Sequence, residues 1–122
     1  MPILFSDPEA IAEHIIRDVG TELVVGLPLG LGKANHIVNA LYARAVADRS
    51  VNLTLFSALT LEKPKPNSLL ERRFIGPVID RLFGGYPELA YADALHRGVL
   101  PPNVKVIEFF FLAGQWLYQP FA

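Results

Sequence analysis

The feature that most constrains this chain is that no two of its strand-like segments are neighbours in sequence. Each is separated from the next by at least one stretch of helical periodicity, and that alternation restricts the chain to α/β architectures. Residues 23–26, Leu-Val-Val-Gly, read as a short buried strand, and residues 51–56 alternate as Val-Asn-Leu-Thr-Leu-Phe. Residues 104–112 form the third and most apolar segment. Between them lie helical patterns over residues 34–48, 68–83 and 87–97. The order is α-β-α-β-α-α-β. Strands joined through helices run parallel by right-handed crossovers, so the expected fold is a parallel sheet flanked by helices and covered on both faces.

Local signals place the helix ends. Ser6-Asp7-Pro8-Glu9 has capping-box spacing with proline in the first turn, and Gly20 stops the helix that follows. That helix presents Ile11, Ile15 and Val19, with Ala12 and Ile16 beside them. The second helix presents Ile37, Val38, Leu41, Ala45 and Val46, with Arg44 and Asp48 on its exposed side. Ser68 to Glu71 repeats the capping-box spacing and opens a third helix with Phe74, Val78 and Leu82 on one face. Gly76-Pro77 is expected to kink or split it, and Gly84-Gly85 to end it. Two prolines keep residues 62–67 out of regular structure, as a lid or connector.

Composition removes several classes of function. With 122 residues the chain holds one domain of modest core, and 52% hydrophobic against 19% charged residues is the opposite of a disordered composition. The formal net charge of −1 leaves no electrostatic footprint for nucleic acid. Without cysteine there is no disulfide, thiolate metal site or cysteine nucleophile. No apolar run reaches the length of a membrane span, and residues 1–6 lack the pattern of a signal peptide, so a cytoplasmic, membrane-free protein is expected.

Chemistry concentrates at residues 26–33, Gly-Leu-Pro-Leu-Gly-Leu-Gly-Lys, which link the first strand to the second helix. A glycine-rich strand-to-helix turn presents backbone N–H groups at the positive end of a helix dipole, where phosphate, carboxylate or a developing oxyanion is accepted. It is not a Walker A loop, because Leu27 replaces the first glycine and Ala34 the Ser or Thr. Nor is it a Rossmann fingerprint, because Asn35 replaces the third glycine and Ser57, not an acid, ends the second strand. A tight turn for close helix–strand packing remains the other reading, and spacing alone leaves both open. Ser57 and Thr60 follow the second strand, where α/β sheets place ligand contacts. Glu108 shares a strand face with Val106 and Phe110, where a buried carboxylate is costly unless paired, and a hydrogen bond near the strand end is its expected role. His14 and His96 fall on helix surfaces, His36 follows the turn and could face a ligand, and the three show no metal-binding spacing.

The run LVVGLPLGLGKANHIVNAL (residues 23–41) resembles the opening strand, glycine loop and helix of acetyl-CoA hydrolases and class I CoA-transferases. NLTLFSA (52–58), residues 68–83 and VKVIE (104–108) follow in the same order, so the likeness spans residues 7–122. The resemblance implies a two-half architecture of NagB/RpiA/CoA-transferase type. It implies chemistry on acyl-CoA thioesters and small carboxylates through a glutamyl-CoA thioester, with coenzyme A as substrate and no permanently bound cofactor. The catalytic glutamate belongs to the family's second half, so no catalytic residue is assigned to this chain. As substrate-binding residues the resemblance points to Gly26, Gly30, Gly32, Lys33 and Asn35, with Ser57 added from the end of the second strand. Leu27-Pro28-Leu29 is more apolar than the family's loop and admits a bulkier acyl group.

On this reading residues 1–122 are one partial domain that continues in the natural protein. Its partners are the enzyme's C-terminal half, acyl-CoA and carboxylate, and a second copy of itself. Two other functions stay open: a non-catalytic binding or dimerisation module, and a sugar-phosphate enzyme of the same superfold.

Overall fold

Parallel pairing is what helix-separated strands require, and it is what the chain adopts. The structure, a computed structural model, describes residues 2–28, 34–58 and 65–109. Its elements are α1 (Pro8–Val19), β1 (Glu22–Leu27), α2 (Asn35–Ala47), β2 (Asn52–Ser57), α3 (Leu69–Phe83), α4 (Ala90–His96) and β3 (Val104–Glu108). The three strands form one parallel sheet in the order β1-β2-β3. Gly26, read both as the last residue of the first strand and as the head of the turn, lies within β1, which runs on to Leu27.

Strand alternation sorts the side chains into two faces. Leu23, Leu53 and Val104 lie on one rung and Val25, Leu55 and Val106 on another, all turned toward the helices. With Val38, Leu41, Ala45, Leu89 and Tyr91 they make the core, in which Tyr91 is the bulkiest fully buried side chain. The opposite face carries Val24, Phe56 and Ile107, all exposed, Val24 to 78%. Among the described residues the sheet is therefore covered on one face, not two. The cause is topological: both crossovers step the same way across the sheet, and right-handed connections then leave their helices on one side.

The helices differ in how they are held. The cap of α1 is Asp7, not Ser6; its carboxylate accepts from the Glu9 N–H at 3.3 Å, with Pro8 in the first turn. Its seated face is Ala12, Ile15 and Ile16, whereas Val19 is exposed. Ala12 is the one residue of this helix that is fully buried. At its end Gly20 takes φ 107°, a conformation that side chains disfavour. In α3, Ser68 accepts from the Glu71 N–H at 3.1 Å and Glu71 accepts from the Asn67 N–H at 2.6 Å, a reciprocal cap. Pro77 sits inside α3 without splitting it. No residue of α3 is buried, so Phe74, Val78 and Leu82, expected to seat the helix, face solvent.

The amino edge of the sheet is tied by one side chain. Asn103, just before β3, donates through Nδ2 to Ala45 O and Val51 O, both at 2.7 Å. It thereby satisfies a carbonyl in the last turn of α2 and one at the entry to β2. Asn103→Ala leaves both oxygens short of a donor in a half-buried site, and should cost about 2–3 kcal/mol. A urea midpoint lowered at unchanged m-value is the expected reading.

Asp48 closes the same corner. Its carboxylate accepts from Ser50 Oγ at 2.6 Å and from the Ser50 N–H at 3.0 Å. These bonds, the hydroxyl first, hold its pKa below the ordinary 3.8. A depressed folded pKa stabilises the fold fully above the unfolded value, and that contribution fades as pH falls through the folded one. The stability advantage of the native chain over Asp48→Asn should thus be present at neutral pH and shrink below pH 3.8, as measured by chemical denaturation across pH.

Candidate functional site

In a parallel sheet the carboxyl ends of the strands converge with the amino ends of the following helices, and ligands collect there. Here the last rung of the sheet is Leu27, Ser57 and Glu108. Ser57 is wholly buried beneath that edge, its backbone oxygen accepting from the Phe109 N–H at 3.1 Å. Glu108 ends β3 and is exposed, so the cost of a buried carboxylate does not arise. Gly26 points to the open face, and a Cβ built on it meets nothing within 4 Å. Close helix packing therefore does not explain glycine at position 26.

The start of α2 is built differently from the other long helices. α1 and α3 each have a side-chain cap and an acidic residue in the first turn. α2 has neither, and its N-cap is Ala34. Its first intrahelical bond runs from the Val38 N–H to Ala34 O at 3.0 Å. The N–H groups of Asn35, His36 and Ile37 precede that bond and lack an acceptor within the helix. They form the positive end of a 13-residue helix dipole that no carboxylate offsets from its own first turn.

A cavity of about 320 Å³ opens at this point, between residues 34–37 of α2 and residues 85–87. The size lies at the lower end of small-molecule sites. Two asparagines one helical turn apart hold its far wall and the segment that follows it. Asn35 Nδ2 donates to Pro87 O at 2.7 Å. Asn39 Nδ2 donates to Glu88 O at 2.8 Å while its Oδ1 accepts from the Ala90 N–H at 2.9 Å. Asn39 thus caps α4, whose own N-cap, Leu89, supplies no side-chain bond.

Of the residues selected from sequence, Asn35 lines this cavity, and so does His36, exposed at its mouth. Gly26 and Ser57 do not line it. Gly30, Gly32, Lys33 and Thr60 lie outside the described residues, as do Phe110 and the connector at 62–64. His14 is on the surface of α1, pairing with Asp18 at 3.1 Å, and His96 is exposed on α4.

Sequence reasoning missed Asn39, Tyr86 and Pro87. The available signal was the Asn35/Asn39 pair: asparagine is a poor residue for a helix interior, and two at i, i+4 share one face. Compared with family models, with curated proteins and with solved structures, the chain matches none. Among the described residues no helix is long and apolar enough to cross a membrane.

Because Asn39 bonds Glu88 and Ala90, just past the cavity-lining residues 85–87, from both ends of its amide, Asn39→Ala should cost about 1–2 kcal/mol. The loss should be local, appearing as faster hydrogen exchange at the Ala90 amide, with the core amides of β2 changed only by the lower global stability.

Proposed function

We propose that the chain supplies the strand–turn–helix part of an acyl-CoA site in an enzyme of the acetyl-CoA hydrolase/CoA-transferase type, on a domain of NagB/RpiA/CoA-transferase-like fold. One observation carries the reading: the start of α2 has neither a side-chain cap nor an acidic residue in its first turn, and it opens into a cavity at the carboxyl edge of a parallel sheet. Positive N–H groups so placed hold a carboxylate or the oxyanion that forms when a thioester carbonyl is attacked. The residue run 23–41 supplies the family likeness. In this reading Asn35 lies at the acyl or carboxylate group, with Gly26, Gly30, Gly32 and Lys33 of the preceding turn, and Ser57 supports the strand end.

The reaction is nucleophilic catalysis: a glutamate carboxylate attacks the thioester and expels the coenzyme A thiolate, which then attacks the glutamyl carbonyl of the resulting anhydride, releasing the first carboxylate and leaving a glutamyl-CoA thioester. An incoming carboxylate reverses these two steps and carries coenzyme A away, or water hydrolyses the glutamyl thioester. That glutamate comes from a second half of the enzyme. Coenzyme A is substrate, not resident cofactor. The protein acts in the cytoplasm, as a homo-oligomer.

Titration of the 122-residue chain with acetyl-CoA, followed by amide NMR, should move the Asn35, His36 and Ile37 signals saturably, while thioester turnover stays at the uncatalysed rate. Turnover by this chain alone would overturn the division of labour. Silence of those amides up to about millimolar acetyl-CoA would favour a non-catalytic module. Stronger stabilisation by ribose or glucosamine phosphate than by acetyl-CoA would favour a sugar-phosphate enzyme.

A further inference from the structure

A helix that buries nothing draws its stability from elsewhere. α3 runs for 15 residues with Pro77 inside it and no buried residue. Within the chain its support is the reciprocal cap at Ser68 and Glu71, and a proline in a helix interior costs more than such a cap returns. Helices of this length are marginal in water unless an apolar face packs on something. One side of α3 leans on its own domain: Ile79 and Phe83 are half-buried, with the Phe83 ring edge-on to Tyr86 at 5.9 Å. The other side is open. Leu70, Phe74, Val78 and Leu82 follow one another at i, i+4 spacing and are between 53% and 77% exposed.

The order of residues along this stripe is self-complementary. Glu71 stands three residues before Phe74 and Arg81 three after Val78, so a carboxylate borders one end of the stripe and a guanidinium the other. Counted outward from Gly76 the stripe is mirrored: Phe74 answers Val78, Glu71 answers Arg81 and Leu70 answers Leu82. Two copies of α3 laid antiparallel about a two-fold axis level with Gly76 set mirrored positions at the same height. Each apolar side chain then stands level with an apolar one, and each charge with an opposite charge. Run parallel, the same helices would set Glu71 beside Glu71 and Arg81 beside Arg81. The mirror breaks at Arg73 and Ile79, which lie off the stripe. A lipid surface fits less well, because Glu71 lies in the face that would enter it and is repelled by anionic headgroups.

We infer that α3 is a homodimer surface on which a second copy of this chain lies antiparallel, with Phe74 against the partner's Val78, Leu70 against the partner's Leu82, and Glu71 level with the partner's Arg81. Burial of the stripe supplies the affinity, and the two symmetric charge pairs select the register. The inference rests on the proposed function only in its homo-oligomer, to which it gives a surface.

The test uses the full chain. Sedimentation across concentrations should show a monomer–dimer equilibrium. Val78→Asp, at an exposed position, should weaken it about tenfold or more while the amide signals of β1, β2 and β3 stay in place. Because the sequence has no cysteine, Phe74→Cys and Val78→Cys report the register through disulfide formation under mild oxidation. Mass spectrometry of an equimolar mixture should find Phe74→Cys chains linked to Val78→Cys chains, whose sulfurs lie level. Like-to-like links should be scarce, because antiparallel pairing sets those positions about 6 Å apart along the axis. Like-to-like links in excess would overturn the inference. A dimer indifferent to Val78→Asp is held by another surface, so the inference fails and the homo-oligomer stands. A chain that stays monomeric up to about millimolar concentration removes both. If that monomer binds anionic phosphatidylserine vesicles and Val78→Asp abolishes the binding, α3 is a lipid-surface helix instead. The acyl-CoA reading is decided separately, by the acetyl-CoA titration.

Discussion

The seating of α2 is the constraint on which the rest of this structure depends. The helix lies over β2 and β3, contributes Val38, Leu41 and Ala45 to the core, and presents its amino end at the carboxyl edge of the sheet. Apolar packing alone is non-directional and would allow the helix to slide or rotate. Carboxamides remove that freedom at both ends. Asn103 reaches the last turn of α2 from the entry to β3, while Asn35 and Asn39 reach from its first turns to the backbone of residues 87–90. Each bond joins a side chain to a main-chain group more than 45 residues away, so helix position and loop position are fixed together. Asparagine suits this task because a short amide both donates and accepts and loses little rotamer freedom.

The same topology explains what is left open. Crossovers that step one way give the sheet a helical side and, among the described residues, an uncovered side that carries Val24, Phe56, Ile107 and a Phe56–Phe109 ring stack with centroids 5.0 Å apart. α3 repeats the pattern at a helix, with Phe74, Val78 and Leu82 outward and its stability drawn from the Ser68–Glu71 cap. Local capping fixes where a helix starts; it does not supply a surface for the helix to rest on.

These two cases mark how far the sequence was legible. Element order, parallel sense and nearly every helix boundary follow from periodicity and turn chemistry, and the structure agrees with them. Which face of an element is buried follows less well, because periodicity names an apolar stripe without naming its partner. The stripe at Phe74, Val78 and Leu82 is a proper amphipathic face and buries nothing, and in α1 the seated face runs through Ala12 and Ile16, leaving Val19 outside. The site was legible in part. The turn pointed to the start of α2, and Asn35 and His36 do line the cavity. Its other wall comes from residues 85–87, some fifty positions away, brought there by Asn35 and Asn39. Long-range bonds of this kind leave only a faint trace in sequence, here two asparagines on one face of a helix.

Asn35 finally ties the start of α2 to the segment that faces it. One end of its amide holds Pro87 O and the other is buried without a partner, so the geometry that keeps Pro87 in place also fixes the direction of that oxygen. A planar amide cannot turn one end without moving the other. Loosening that segment therefore frees the side chain to rotate, even where no residue of α2 has changed. Proline at position 87 reinforces the arrangement, because its fixed φ limits the backbone angles available around the accepting carbonyl.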